Sequence, residues 1–156
     1  MKSVLIIDDD EDIRAVLTEF LLDHGYEVSS ASNGAAALRA LEQCAPSAIL
    51  MDLAMPVMDG PSFRRRQLAD AHIADIPLLV MSADNRLAVV TEQMKAQACL
   101  PKPVHLDFLL EMLQAICESP RGAGRRAQPA RQDRARADRG LPRKRSESAA
   151  TDSRRR

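Results

Sequence analysis

Four short apolar runs, hydrophobic at every position and not only at alternate ones, constrain the fold of this 156-residue chain most strongly. They occupy residues 4–7, 48–51, 78–81 and 98–101. A strand that faces water on one side alternates apolar and polar residues, whereas a strand covered by helices on both faces is apolar throughout. The runs therefore predict a parallel sheet buried between two helical layers.

The segments between these runs carry apolar residues at helical spacing. In the first segment Ile13, Leu17 and Leu21 follow this spacing, and Gly25 provides a helix stop. We predict a second helix over residues 35–43, with Ser32 or Asn33 as its cap, and further helices over 61–70, 87–96 and 106–116. Residues 26–30 are predicted to form a half-exposed edge strand. The pattern predicts an α/β fold: a flavodoxin-like (βα)5 doubly wound parallel sheet with strand order 2-1-3-4-5 and right-handed crossovers.

Polar residues suited to phosphoryl chemistry follow the apolar runs, namely Asp8 and Asp9, Asp52, Ser82 and Lys102. Because the carboxyl ends of parallel strands lie at one edge of a sheet, we expect these side chains to converge in one pocket. Crowded carboxylates repel one another and raise at least one carboxyl pKa, and a hard cation such as Mg²⁺ relieves the repulsion. Asp52 can then act as a nucleophile that forms an acyl phosphate, while Ser82 and Lys102 stabilise the phosphoryl oxygens.

Each of these residues has an ordinary structural explanation when it is taken alone. The acidic residues 8–12 are typical of a solvated turn and a helix N-terminus, and a single Asp, Ser or Lys after a strand is commonly a turn cap or a solvated group. Their combination at successive strand ends favours a shared pocket. A cis peptide bond between Lys102 and Pro103 is a further hypothesis, because it would turn the chain sharply and direct the amine inward.

Charge is distributed unevenly along the chain. Residues 1–118 contain 9 Lys and Arg and 18 Asp and Glu, a net charge of −9, whereas residues 119–156 contain 13 and 4, a net charge of +9. Leu141 is the only large apolar residue of the second segment, so we predict one domain over residues 1–118 and a disordered basic tail over 119–156. The three cysteines without CxxC spacing, the absence of a leader pattern and the absence of an apolar run near ~18 residues predict a cytoplasmic protein with no membrane span.

The motifs IDDD at residues 7–10, MDLAMPVMDG at 51–60, SA at 82–83 and KP at 102–103 resemble the receiver domain of two-component response regulators. The resemblance covers residues 2–118. It implies that Asp52 accepts a phosphoryl group from a phosphohistidine on a sensor histidine kinase or phosphotransfer protein. It also implies a Mg²⁺ site made by Asp9, Asp52 and the backbone carbonyl of Ala54, with Asp8 acting through water. Ser82 would bind a phosphoryl oxygen and move on activation, and Lys102 would pair with the phosphoryl group.

Several positions depart from the receiver pattern. Cys99 stands where receivers usually carry a switch aromatic, Gln97 replaces a common acidic residue, Val104 replaces a frequent Phe, and the segment between Ser82 and Lys102 is about two residues short. The usual coupling between phosphorylation and the output surface is therefore in question, although phosphorylation itself is not.

Three functions remain open from the sequence. The first is a stand-alone response regulator, not an enzyme beyond its own Mg²⁺-dependent phosphorylation and dephosphorylation, which signals to an unidentified protein target through a changed interaction surface. The second is a pseudo-receiver that binds its partner independently of phosphorylation. The third is a nucleic-acid-binding regulator that uses the Arg-rich tail. A metabolic enzyme is disfavoured because no Gly-rich phosphate fingerprint follows the first strand.

Overall fold

The computed structural model describes residues 2–118. The predicted basic tail, residues 119–156, lies outside the described residues. Strands and helices alternate along the chain in the order β1 (Ser3–Ile7), α1 (Glu11–Asp23), β2 (Glu27–Ala31), α2 (Gly34–Leu41), β3 (Ala48–Asp52), α3 (Gly60–Ala69), β4 (Leu78–Ser82), α4 (Leu87–Met94), β5 (Ala98–Pro101) and α5 (Leu106–Glu118). All strand pairs are parallel, and the sheet order is β2-β1-β3-β4-β5. The predicted α/β fold and strand order are confirmed.

Two helical layers cover the sheet. Helices α1 and α5 bury Leu17, Leu21, Leu109 and Leu113 against one face. Helices α2, α3 and α4 cover the other face, where Phe63 of α3 is completely buried. Strands β3 and β4 are buried at every position, because each lies inside the sheet and is covered on both sides. The runs are therefore apolar at every position because helices cover both faces of the sheet, as the sequence predicted.

Short polar residues set the ends of several helices. Asp10 caps α1 by accepting hydrogen bonds from the backbone N–H groups of Asp12 and Ile13, and Asn33 caps α2 by accepting one from Ala36. Of the two predicted caps of α2, Asn33 is therefore the one used. After α1 the chain turns at Gly25, whose φ of 80° lies in the left-handed region that glycine enters without strain.

The element bounds differ from the predicted ones by at most two residues. Strand β2 begins at Glu27, one residue after the predicted start, because Tyr26 packs into the α1/α5 core instead of pairing in the sheet. Helix α2 ends at Leu41 and helix α4 at Met94, where Lys95 adopts a left-handed φ of 46° that stops the helix. No helix within residues 2–118 is both long enough and apolar enough to cross a membrane.

Candidate functional site

Three carboxylates meet at the carboxyl end of the sheet. Asp8 and Asp9 follow β1, and Asp52 ends β3, which is the hydrogen-bonded neighbour of β1. One oxygen from each of the three carboxylates lies within 4.8 Å of the others. Asp8 and Asp52 are buried, whereas Asp9 is exposed. The strand order therefore brings acidic groups 44 positions apart in the sequence into one cluster that is open on one side.

Asp8 is the most constrained of these acids. Its Oδ1 accepts a hydrogen bond of 2.9 Å from the backbone N–H of Asp10, while its buried Oδ2 accepts none from residues 2–118. Burial raises the pKa of the Asp8 carboxyl, and the charges of Asp52 and Asp9 raise it further, against the lowering effects of the Asp10 N–H and Lys102. A raised carboxyl pKa was predicted here, but burial contributes more to it than the repulsion between carboxylates.

Lys102 directly follows β5 at the same carboxyl edge of the sheet and brings a positive charge to the acids. Its Nζ lies 3.0 Å from Oδ1 of Asp52 and 3.5 Å from Oδ2 of Asp8, and the second contact is an ion pair without hydrogen-bond geometry. The Lys102 backbone N–H donates to the Ser82 carbonyl, and the Lys102–Pro103 peptide bond is cis. Burial lowers the pKa of the Lys102 ammonium, but the hydrogen bond and charge of Asp52 and the charge of Asp8 outweigh burial, so the pKa lies above its ordinary value.

Ser82 ends β4, the strand beside β3. It is buried, and its Oγ accepts a hydrogen bond of 3.0 Å from the backbone N–H of Asp84. That contact leaves the hydroxyl proton of Ser82 available to donate to a phosphoryl oxygen. The position at the strand end places the hydroxyl on the same edge of the sheet as Asp52.

The loop after Asp52 is shaped by close backbone contacts. The Leu53 N–H donates to the Met81 carbonyl, and the Gly60 N–H donates to the Leu53 carbonyl. A Cβ at Gly60 would lie 3.1 Å from that carbonyl oxygen, so a larger residue would push the loop away from β3. Ala54, two residues after Asp52, is exposed in this loop. Its backbone carbonyl is the fourth ligand that the receiver resemblance implies.

The same loop ends in a strained turn and a helix cap. Val57 has a φ of 68° and is 85% exposed. Few β-branched residues adopt this conformation. Asp59 caps α3 by accepting a hydrogen bond of 2.8 Å from the Ser62 N–H. Hydrogen bonding from the Ser62 side chain and from this N–H holds the pKa of the Asp59 carboxyl below its usual value.

Comparison with known proteins identifies the family. The family model for the response regulator receiver domain matches residues 4–114. The chain belongs to the response regulator receiver family. The chain is 39% identical over 117 residues to the transcriptional regulatory protein PrrA of Mycobacterium leprae, a match that covers 72% of this chain and 48% of PrrA. It spans about half the length of the first curated relatives that it matches.

Two further similarities bear on the receiver. Protein PilH of Pseudomonas aeruginosa is 30% identical over 118 residues, a match that covers 74% of this chain and 98% of PilH. The receiver domain of the sensor histidine kinase PA1611, also from Pseudomonas aeruginosa, superimposes with a TM-score of 0.66 at 30% identity, over 73% of this chain and 95% of that domain. The PA1611 structure has a magnesium ion coordinated in its active-site cleft.

The acid cluster of this receiver fits a divalent cation by its own geometry. Mg²⁺ favours carboxylate and backbone oxygens together with water, and the cluster offers three carboxylates with one exposed side. The buried Asp8 Oδ2, which accepts no hydrogen bond from the described residues, is an oxygen that a cation or its water would satisfy. The three carboxylates are therefore consistent with the predicted Mg²⁺ ligands Asp8, Asp9 and Asp52, and the Ala54 carbonyl stays a prediction.

Cys99 occupies the position of the usual receiver aromatic in β5, where it pairs with Val80 of β4. The free thiol is partly buried and packs against the α2/α3/α4 side of the core. Burial raises the pKa of the Cys99 thiol, and the charge of Asp84 raises it further. The thiol side chain is much smaller than an aromatic ring, so this position lacks the bulk on which the usual receiver switch relies.

The sequence analysis missed two polar residues that hold the elements around the site. Arg14 donates a hydrogen bond of 2.8 Å to the Asp8 carbonyl and so fixes the end of β1. Arg64 of α3 is buried and donates to the carbonyls of Met94 and Lys95 and to the Gln67 side chain. A usable signal existed for Arg64, because it shares the buried stripe of α3 with Gly60, Phe63 and Gln67 at helical spacing.

Proposed function

We propose that this receiver is a phosphorylation-controlled response regulator whose acceptor is Asp52. The Lys102 ammonium, 3.0 Å from the Asp52 carboxylate and 3.5 Å from that of Asp8, is the observation that carries the proposal. A carboxylate flanked by a fixed cation, at the edge of a parallel sheet and with one open side, suits a phosphoryl acceptor.

In the proposed reaction, a carboxylate oxygen of Asp52 attacks the phosphorus of a phosphohistidine on a sensor histidine kinase or phosphotransfer protein. A P–O bond forms to Asp52 while the P–N bond to the donor histidine breaks, and the imidazole leaves with the bond's electron pair. Lys102 and the Ser82 hydroxyl hold the phosphoryl oxygens through charge and hydrogen bonding. Mg²⁺ held by Asp8, Asp9, Asp52 and the Ala54 carbonyl would supply positive charge that offsets the negative charge gathered there.

The activity of the receiver itself is confined to its own phosphorylation and dephosphorylation, so we do not propose an enzyme acting on other substrates. Phosphorylation adds negative charge beside Ser82 and Lys102, and this charge change alters an interaction surface for a downstream protein. We propose a cytoplasmic location, which the three free cysteines support, since reduced thiols are usual in that compartment.

The test is phosphorylation by acetyl phosphate with Mg²⁺. We expect intact-mass analysis to show one added phosphoryl group that resists acid and is lost in base, as an acyl phosphate is. Asp52→Asn should abolish the addition. Asp59→Asn is the matched control, because Asp59 is an exposed acid of the same loop and Asn can still cap α3. Labelling that persists in the Asp52→Asn variant, or that disappears equally in the control, would contradict the assignment.

Cys99 supports a second candidate, a pseudo-receiver whose binding does not depend on phosphate. A side chain that is smaller than the usual aromatic at this position removes one way in which Ser82 can influence the output surface. The two candidates differ in one measurement on the purified cognate partner. A response regulator changes its affinity for that partner when beryllofluoride is added with Mg²⁺, whereas a pseudo-receiver binds equally in both conditions.

A further inference from the structure

Helices α1 and α5, which form one layer of the molecule, each carry an acidic stripe on the solvent side. In α1 the stripe consists of Asp12, Glu19 and Asp23, with Glu11 as a further exposed acid of the same helix, and in α5 it consists of Asp107, Glu111 and Glu118. The three acids are seven and four residues apart in α1 and four and seven residues apart in α5, and these spacings place them on one face of each helix. We call the combined surface of these six residues the acidic face.

Few cations of the described chain neutralise the acidic face. Helix α5 contains no Lys or Arg, and Arg14, the only basic residue of α1, donates to the Asp8 carbonyl. Within residues 2–118 the only ion pair of the acidic face joins Glu118 to Lys2, at 2.9 Å. On the opposite layer, α2 and α3 contain no acidic residue and carry Arg39 and three arginines at 64–66, of which Arg64 is buried, whereas α4 carries one acid, Glu92.

The chain continues for 38 residues from the end of the acidic face. Glu118 is both the last residue of α5 and the last acid of its stripe, and residues 119–156 carry 13 Lys and Arg against 4 Asp and Glu. A helix of 13 residues is about 20 Å long, whereas 38 extended residues span up to about 125 Å. The basic segment can therefore reach every part of α5 and α1 from its point of attachment.

We infer that residues 119–156 dock onto the acidic face of their own chain. Opposite net charges of equal size, joined by a covalent link, give a high effective concentration of one surface for the other. Arginine suits this surface because its guanidinium pairs with carboxylates while its stem packs on apolar groups. Val16 in α1 is 55% exposed and Phe108 in α5 is 44% exposed, so apolar contacts for arginine stems lie beside both stripes.

Docking in this way covers the α1/α5 layer and leaves the basic α2/α3 layer open. A partner that binds the acidic face must then displace the segment, and a polyanion such as nucleic acid must compete with six carboxylates for the same arginines. Because the attraction is mainly between exposed charges, it weakens steeply as salt rises. The inference is independent of phosphorylation on Asp52, and its test uses no phosphodonor.

A carbodiimide cross-link tests the contact directly in the full chain. The reagent activates a carboxylate, a lysine amine displaces the activated group, and an amide bond forms with release of the reagent as a urea. Lys144 is the only lysine in residues 119–156. At about 20 mM salt we expect peptide mapping to join Lys144 to acids of α1 and α5 within one monomer, and at about 0.5 M salt we expect the cross-link to be lost.

The control for the cross-link is Lys144→Arg, which keeps the charge and removes the reactive amine. Amides between Lys144 and Glu42, Asp75 or Glu92 on other surfaces, at the same yield, would overturn the inference, as would no adduct on either helix at low salt. Cross-links found only between two copies assign the segment to a second molecule and likewise overturn docking within one chain.

A matched pair of triple variants tests the role of charge without a cross-linking reagent. Glu19→Gln, Asp23→Asn and Glu111→Gln remove three of the six charges of the acidic face, and Glu42→Gln, Asp75→Asn and Glu92→Gln make the same change in exposed residues elsewhere. By small-angle scattering at low salt, the acidic-face variant should have a larger radius of gyration than the wild type, and the control variant should match the wild type. Equal radii for the two variants, or compactness lost on nuclease treatment, would refute the docking.

Discussion

Arg64→Met is the substitution whose effect the structure predicts most sharply. Arg64 projects from α3 into the space beneath α4, where its Nε donates to the Met94 carbonyl at 2.9 Å and its two terminal nitrogens donate to the Lys95 carbonyl and the Gln67 Oε1, each at 2.6 Å. Arg64 as a whole is 6% exposed, and its guanidinium has no carboxylate partner within the described residues. Burial lowers the pKa of Arg64, but arginine stays protonated, so a full charge is held by neutral acceptors.

The expected loss follows from the contacts that methionine cannot make. Hydrogen bonds from a charged donor contribute about 1.5–3 kcal/mol each, and a buried acceptor left unpaired costs about 1–3 kcal/mol. Removal of the buried charge offsets part of this loss of free energy. The carbonyls at the end of α4 can also turn toward water, which reduces the loss further. We therefore expect Arg64→Met to lower the free energy of unfolding by about 3 kcal/mol, which lowers the melting temperature by about 10 °C for a domain of this size.

Urea and thermal denaturation followed by circular dichroism measure the change. Arg65→Met is the matched control, because Arg65 is the next residue of the same helix and, within the described residues, its side chain donates a hydrogen bond only to the Ser62 hydroxyl, at 3.1 Å. Arg64→Lys should lose nearly as much stability as Arg64→Met, since one ammonium cannot reach three acceptors in the same geometry. A loss below about 1 kcal/mol for Arg64→Met, or a loss equal to that of the control, would refute the reasoning.

Two further predictions concern strain and charge near the site. Val57→Asn should raise stability by about 1 kcal/mol in thermal denaturation, because Asn tolerates the φ of 68° that strains Val57, and an unchanged or lower melting temperature would show that the valine side chain is stabilising. Asp8→Asn should raise the metal-free melting temperature at pH 7, because the raised pKa of Asp8 means that its ionised form destabilises the fold. This gain in melting temperature should shrink as pH falls toward 4, because protonation of Asp8 then removes the destabilising charge from the wild type. Mg²⁺ should stabilise the wild type more than Asp8→Asn, and a gain that is independent of both pH and Mg²⁺ would contradict the explanation.

The arrangement of the acids could be predicted because topology alone determines it. A continuous apolar run predicts a buried parallel strand, and the residue after such a strand must lie at the carboxyl edge of the sheet. Asp8 and Asp52 needed only the pairing of β1 with β3 to come together. What the sequence could not provide was the degree of burial of each acid. Asp8 is fully buried and Asp9 is exposed, although they are neighbours, because the chain bends at the strand end.

The helical layers were less predictable because their contacts depend on which side of a helix each residue takes. The three arginines at 64–66 have the same chemistry, yet only Arg64 faces the core, on the stripe that includes Phe63 and Gln67. Because arginines are generally exposed to solvent, the sequence alone does not indicate that Arg64 is buried. Gln97 shows the same problem, because its Oε1 accepts a hydrogen bond of 2.6 Å from the Leu78 N–H. This contact could be foreseen only once β4 was known to lie beside β5.

Helix α4 is held unequally at its two ends, and this inequality bears on how a receiver with Cys99 can respond. Arg64 ties the last carbonyls of the helix to α3, whereas Arg86, at the N-cap, makes no side-chain capping bond. That N-terminal end is connected to the site through the Asp84 N–H, which donates to the Ser82 hydroxyl, and through the exposed Arg86–Asp84 ion pair. The end of α4 that is joined to Ser82 therefore lacks the tie to α3 that Arg64 gives the other end, and neither set of contacts involves an aromatic side chain in β5.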